Sequence, residues 1–123
     1  MKACLIVGAG GAIGSMLRYL MSLISLDETV IFPVKTLAVN VLGAFLIGII
    51  AALALKNADF DPKLTLFLKT GLCGGFTTFS TFALESYDLV SGGHWAMTLG
   101  YVALSVILCI AAVFAAEAMV GRI

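Results

Sequence analysis

The chain is poor in the residues that keep a protein soluble. Only 11% of its 123 residues are charged, whereas an average soluble domain carries about a quarter. Its net charge is zero, which gives no electrostatic basis for binding nucleic acid. Its three cysteines lie inside apolar stretches and lack the spacing of a disulfide framework or a zinc site. These absences argue against a soluble domain, a disulfide-stapled fold, a zinc domain and a nucleic-acid-binding protein.

Long apolar stretches take the place of the missing charge. Hydrophobic residues make up 62% of the chain, and the mean hydropathy is +1.15. Four stretches reach the ~20 residues that cross ~30 Å of hydrocarbon, and they cover approximately 3–26, 32–55, 64–89 and 95–119. Short connections favour antiparallel neighbouring helices. The sequence therefore predicts one integral membrane domain over residues 1–123, an all-α, multi-pass protein of the cell membrane in contact with lipid.

The third stretch contains an unusual run, GLCGGFTTFSTF, over residues 71–82. Glycine pairs and hydroxyl side chains weaken a helix, because they leave backbone groups free to bond elsewhere. At membrane depth such backbone is tolerated only where it is buried in protein or lines a cavity. We therefore expect a third helix that is broken at the glycine-rich part of this run, and we expect the run to be functional.

Glycines near the N-terminus suggest a nucleotide site that the context excludes. Gly8, Gly10 and Gly14 fit a relaxed dinucleotide-binding fingerprint, which requires soluble βαβ units that are lacking here. The spacing of Gly10 and Gly14 is instead typical of two membrane helices in close contact. Without a nucleotide element, any transport by this chain is expected to be passive.

Several polar side chains fall at membrane depth, where they are functional candidates by default. Asn40 either bridges two helices or offers its amide to a permeating ion. Arg18 either reaches for the interface or lines the mouth of an anion path. Tyr101 and Ser105 are four residues apart and share one helix face, which lines a path or satisfies neighbouring helices. The role of Glu85 is open.

Two aromatic residues of the unusual run also share a helix face. Phe79 and Phe82 are three residues apart, with the hydroxyls of Ser80 and Thr81 between them. Such phenylalanines usually serve packing, but an aromatic ring has a positive edge that stabilises an anion without trapping it. Hydroxyl and amide donors replace part of the water shell of an ion in a pore. The run therefore favours an anion pathway.

These motifs resemble those of the CrcB/Fluc family of fluoride channels along essentially the whole chain. The resemblance rests on the run at 71–82, on Asn40 within TLAVNVLG, and on GSMLRY over residues 14–19. It implies four transmembrane helices with a broken third helix, in an antiparallel, dual-topology homodimer. It also implies a fluoride-selective channel that exports fluoride passively and so reduces its toxicity.

The resemblance assigns roles to individual residues. Phe79 and Phe82 would present their ring edges to fluoride, and Asn40 would be the amide donor of the pore. The remaining pore positions are hydroxyl-bearing residues, namely Ser80, Thr81, Tyr101 and Ser105. Arg18 would lie toward a vestibule. A structural Na⁺ at the dimer axis would be held by the backbone carbonyls of Gly74 and Thr77, which are hard oxygen ligands.

Two positions depart from the family pattern, and two other functions remain as alternatives. Phe76 replaces a residue that is often a smaller aliphatic one, and Cys109 stands where a hydroxyl is common. A proton-coupled small multidrug exporter would need a carboxylate inside the membrane, for which Glu85 is a rough substitute. An assembly subunit without transport would leave the run at 71–82 unexplained. No nucleophile–base pair or catalytic metal cluster indicates an enzyme.

Overall fold

The computed structural model describes residues 1–26 and 29–121, and within them the chain is helical without strands. The elements are α1 (Lys2–Ser22), α2 (Val34–Lys56), α3 (Pro62–Thr65), a π-helical segment (Leu66–Cys73), α4 (Gly74–Phe76), α5 (Phe79–Ser91) and α6 (Trp95–Val120). By length and composition, α1, α2 and α6 are able to cross a membrane. This confirms the prediction of an all-α membrane protein.

Residues 62–76 form one helical run, because α3, the π-helical segment and α4 follow each other without a gap. The run begins with a regular helix start, since the Asp61 carboxylate accepts the Lys63 N–H at 2.8 Å and Pro62 takes the first helical position. A π-helix is wider than an α-helix and is frequent at functional sites. The run ends after Phe76.

The helical run 62–76 packs closely on α1 through glycines of both elements. A Cβ atom on Gly71 would lie 2.9 Å from the Gly10 Cα, and one on Gly14 would lie 2.8 Å from the Phe76 nitrogen. Real Cβ atoms essentially never approach other atoms so closely, so these positions require glycine. The prediction that Gly10 and Gly14 form a helix-packing surface is confirmed.

A second close contact joins α2 to α6. A Cβ atom on Gly48 would lie 2.8 Å from the Ala116 Cβ of α6. Tyr101 of α6 is completely buried, and its ring meets edge-on that of Phe32, which precedes α2, at a centroid distance of 5.5 Å. The two helices therefore form the scaffold on which the polar groups of α6 are held.

The glycine pair of the unusual run does not interrupt the helix, so the prediction that the break lies among the glycines is wrong. Gly74 and Gly75 belong to α4. The backbone becomes extended one turn later, at Thr77 (ψ 159°) and Thr78 (φ −150°, ψ 116°). Gly75 is instead pressed against Gly11 of α1, whose carbonyl oxygen a Cβ atom would strike. Gly75 therefore serves close packing against α1.

Candidate ion pathway

The extended pair Thr77–Thr78 is held in place by Asn40 of α2. The Asn40 Oδ1 accepts the Thr78 N–H at 2.8 Å, and its Nδ2 donates to the Thr78 carbonyl oxygen at 3.0 Å. Both backbone groups of Thr78 are thus satisfied by one side chain, as an interior without water requires. An amide has two N–H donors, so one of them remains for another partner.

The hydroxyl of Thr78 starts α5. Its Oγ1 accepts the Thr81 N–H at 3.1 Å and donates to the Thr81 Oγ1 at 3.0 Å. This is an N-cap, which satisfies one of the N–H groups that the first turn of a helix leaves without a partner. The hydroxyls of the run therefore rebuild a helix after the extended pair.

The same bonds remove the helical donors of two backbone carbonyls. A continuous helix would direct the Thr78 N–H to the Gly74 oxygen, but that N–H goes to Asn40. It would likewise direct the Thr81 N–H to the Thr77 oxygen, but that N–H goes to the Thr78 hydroxyl. The carbonyl groups of Gly74 and Thr77 are therefore left without their helical donors at the C-terminal end of the run 62–76.

The carbonyl group of Gly75, which follows Gly74, has a side-chain donor instead. The Gly75 oxygen accepts the Arg18 Nε–H of α1 at 3.1 Å, and the Ser15 hydroxyl lies at 3.5 Å from it. Arg18 is half-buried, and its guanidinium group faces the end of α4. A cation at a helix C-terminus interacts favourably with the helix dipole, so this contact ties α1 to the break.

Aromatic rings continue from the break toward α6. The rings of Phe79 and Phe82 lie 5.4 Å apart with an angle of 44° between their planes, and Phe82 lies 5.1 Å from Tyr101. Phe79, in the first turn of α5, is 79% exposed. The row therefore runs from a buried ring to a ring that the subunit leaves uncovered.

Glu85 of α5 joins three helices. Its Oε1 accepts the Thr36 hydroxyl of α2 at 2.7 Å, and its Oε2 accepts the Tyr101 hydroxyl of α6 at 2.7 Å. Hydrogen bonds to a charged oxygen are short and strong. The Tyr101 hydroxyl is therefore committed to Glu85 rather than directed at the neighbouring cavity.

Ser105 lies one turn further along α6. Only 7% of the residue is exposed, and its Oγ has no hydrogen-bond partner in the part of the chain that the structure describes. A buried hydroxyl without a partner is rare and calls for an explanation, such as a water molecule or an ion. Cys109 follows on the same face of α6 and is half-buried.

Two cavities meet at Thr78. The first, of about 440 Å³, we call the aromatic cavity, and its lining includes Asn40, Thr77, Thr78, Phe79, Phe82, Ser105 and Cys109. The second, of about 490 Å³, we call the polar cavity, and its lining includes Ser15, Arg18, Lys35, Thr36, Thr78, Thr81 and Glu85. The described lining of the aromatic cavity contains no charged side chain, whereas that of the polar cavity contains three.

The structure thus brings together only part of the set that the sequence proposes. Asn40, Phe79, Phe82, Ser105 and the cation candidate Thr77 share the aromatic cavity, while Arg18 and Thr81 line the polar cavity. Three further candidates line neither cavity, namely Tyr101, Ser80 and Gly74. Ser80 and Gly74 are exposed on the surface of the subunit.

Three contributors were not proposed from the sequence. Thr78 caps α5, Thr36 donates to Glu85, and Lys35 lines the polar cavity beside Arg18. A threonine directly before a helical stretch is a recognisable N-cap signal, so Thr78 could have been found. Lys35 and Thr36 lie just after Pro33, and nothing in their spacing indicates the cavity.

Comparison with known proteins gives a consistent assignment. A family model described as CrcB-like protein, Camphor Resistance (CrcB), matches residues 5–117. A fluoride-specific ion channel FluC of Azobacteroides pseudotrichonymphae is 43% identical over 114 residues, which are 92% of this chain and 91% of that protein. A protein of the same name from Rhizobium meliloti is 45% identical over 120 residues, covering 97% of this chain and 96% of that one. The chain therefore belongs to the CrcB-like protein family.

Proposed function

We propose that this multi-pass membrane protein is a fluoride-selective channel that passes fluoride passively out of the cell. Relatives that are 43% and 45% identical over most of both chains carry the name fluoride-specific ion channel. The observation that carries the proposal is the buried Ser105 hydroxyl, which has no partner among the described residues and lies in a cavity whose described lining, beside Phe79 and Phe82, is uncharged. A channel carries out no chemical reaction, so the protein is not an enzyme.

The aromatic cavity has the chemistry for a small anion that is partly dehydrated. Ser105 supplies an unused hydroxyl donor, and Asn40 keeps one N–H beyond the one that it gives to Thr78. The positive ring edges of Phe79 and Phe82 add weak attraction. Conduction needs binding that is strong enough for entry and weak enough for release, and a cavity without a full positive charge meets both needs.

The proposal includes four membrane spans. Beside α1, α2 and α6, the fourth span would consist of the run 62–76 and α5, separated by the extended pair Thr77–Thr78. Broken helices in membranes occur where the break is buried in protein or lines a cavity, and Thr78 lines both cavities. The third apolar stretch of the sequence, residues 64–89, lies within the part of the chain from the start of the run 62–76 to the end of α5.

The proposal also includes a second copy of the chain in antiparallel, dual-topology orientation. Support comes from groups that a single subunit leaves uncovered next to the break. Phe79 is largely exposed, and a Cβ atom on Gly74 would meet nothing within 4 Å, unlike one on Gly75. A polar, glycine-bearing surface at membrane depth is better covered by protein than by lipid.

A structural Na⁺ would fit the oxygens at the end of α4. The carbonyl groups of Gly74 and Thr77 are those that have lost their helical donors, and carbonyl oxygens are the ligands that a hard cation prefers. Two subunits would supply four such groups. The ion would provide positive charge at two helix C-termini and so stabilise the break and the dimer.

The test is fluoride efflux from liposomes that contain the purified protein, read with a fluoride electrode. We expect efflux well above that of protein-free liposomes, and chloride efflux at the background level in parallel vesicles. Removal of sodium from both sides is expected to lower the fluoride rate. Absence of fluoride efflux from well-folded protein, or equal rates for chloride, would contradict the proposal.

A further inference from the structure

The polar cavity contains a second cation beside Arg18. Lys35, from the first turn of α2, lines it together with Arg18 and Glu85. The Lys35 ammonium group donates to the Ser22 carbonyl oxygen at the end of α1, at 2.8 Å. Lys35 precedes Thr36, whose hydroxyl reaches Glu85 in the same cavity.

Neither cation of this cavity forms an ion pair with a residue that the structure describes. Arg18 donates to the Gly75 carbonyl and Lys35 to the Ser22 carbonyl, and both acceptors are backbone groups at or near a helix end. In the described residues, neither forms a salt bridge with a carboxylate. Such contacts hold a cation in place through partial charges only, so its unit charge still acts on a nearby anion.

The acidic groups nearby offset only part of this positive charge. Glu85 shares the polar cavity and counts as one formal negative charge there, and its two oxygens accept neutral hydroxyl donors from Thr36 and Tyr101. Asp88 lies with Lys35 and Glu85 on a separate cavity at the same end of the molecule, and His94 lines it too. The polar cavity itself holds two cations and one carboxylate, which leaves a formal charge of about +1 at neutral pH.

We propose that Lys35, together with Arg18, makes the polar cavity an anion-collecting entrance for the permeating fluoride. The inference rests on the proposed channel function, and it extends the entrance beyond the vestibule arginine. A cleft whose charged side chains sum to a net positive charge raises the local concentration of anions, and salt weakens this effect. Because Thr78 also lines the aromatic cavity, an anion gathered here stands next to the proposed pore.

The first test measures the potential in the cavity without using transport. Ser22 also lines the polar cavity and is exposed, so Ser22→Cys introduces a thiol there. The thiolate attacks an anionic or a cationic methanethiosulfonate reagent, forms a disulfide and releases a sulfinate. We expect the ratio of the anionic to the cationic rate to fall about fivefold with Lys35→Gln at low salt, because each rate changes about two- to threefold in opposite directions. Protein without the Ser22 change gives the background of the native cysteines.

The second test is fluoride efflux at low and at high ionic strength, set with potassium gluconate. Lys35→Gln is expected to slow efflux about two- to threefold at about 10 mM salt and to match the unmodified protein at about 1 M, where the Debye length is about 3 Å. Lys35→Arg should keep the rate. Lys56→Gln is the control, because Lys56 also donates to a backbone carbonyl, that of Val120, away from both cavities.

The two tests separate the possible failures. An unchanged reagent ratio in Lys35→Gln would overturn the inference, and so would slowing that persists at high salt, which indicates a structural defect. If the unmodified protein passes no fluoride, the proposed function fails, but the reagent ratio still decides whether Lys35 creates an anion-attracting cavity.

Discussion

The two halves of the run at 71–82 solve different problems with neighbouring residues. The first half, residues 71–76, is helical and uses glycine to bring its backbone against α1, as Gly75 does at Gly11. The second half, residues 77–82, leaves the helix, restarts it with the Thr78 hydroxyl and places Phe79 and Phe82 on a cavity. Small side chains therefore set distances between helices, while hydroxyls redirect backbone groups.

This difference changes the interpretation of the break. Glycine is not what opens the backbone, because Gly74 and Gly75 are both helical. The opening follows from competition for N–H groups, since Asn40 and the Thr78 hydroxyl accept the N–H groups that the Gly74 and Thr77 carbonyls would receive in a helix. The carbonyl groups proposed to hold Na⁺ are thus a consequence of how the second half is bonded.

The largest effect is expected from a substitution in the first half, residues 71–76, that disturbs its packing against α1. Gly75→Ala puts a methyl group into the Gly11 backbone, whose Cα would lie 2.9 Å away. Overpacking of this kind costs about 1–3 kcal/mol and more where backbone must shift, so we expect little folded protein on size-exclusion chromatography in detergent. Gly100→Ala in α6 is the matched control, because nothing lies within 4 Å of the added methyl group. Equal yields of the two variants would show that the glycines do not set helix distances.

The next effect concerns the residue that holds the second half. Asn40→Asp turns a donor that faces the Thr78 carbonyl into an acceptor, and it places negative charge in the proposed fluoride path. We expect fluoride efflux to fall to the level of protein-free liposomes. The thermal unfolding midpoint should also drop, since an unmade buried hydrogen bond costs about 1–3 kcal/mol.

Asn57→Asp provides the comparison for this change. The Asn57 amide likewise donates to a backbone carbonyl, that of Leu53, but it is exposed at the end of α2. We expect its efflux and stability to match those of the unmodified protein. If Asn40→Asp conducts fluoride as well as Asn57→Asp does, the Asn40 amide is not needed for conduction.

A smaller effect is expected at the helix restart. Thr78→Val keeps the shape of the side chain but removes the N-cap of α5, so we expect a loss of about 1 kcal/mol in unfolding free energy. Thr78→Ser keeps the hydroxyl and should lie close to the unmodified protein in the same denaturation experiment. If both variants lose the same stability, the methyl group rather than the cap matters at this position.

The sequence was sufficient for the features that depend on composition and local spacing. The all-α membrane class follows from apolar length, the start of the run 62–76 from Asp61 and Pro62, and the α1 contact from Gly10 and Gly14. Each of these features can be predicted from one segment of the chain, without knowing which residues of another helix it contacts.

The features that the sequence could not give depend on which groups meet across helices. Nothing in the spacing shows that Asn40 would take both backbone groups of Thr78, or that Tyr101 would be committed to Glu85. The position of the break was misplaced for the same reason, because it is set by long-range bonds rather than by helix propensity. Lys35 was overlooked as a cavity residue because its neighbours in space come from α1 and α5.

The most direct test of the central claim compares efflux per folded protein for two phenylalanine variants. Phe79→Ile removes an aromatic ring from the aromatic cavity, and Phe114→Ile removes one from the exposed surface of α6, outside that lining. In liposomes read with a fluoride electrode, we predict that Phe79→Ile, eluting as the unmodified protein does, conducts no faster than empty vesicles, while Phe114→Ile conducts normally. Normal fluoride efflux through folded Phe79→Ile would contradict the account.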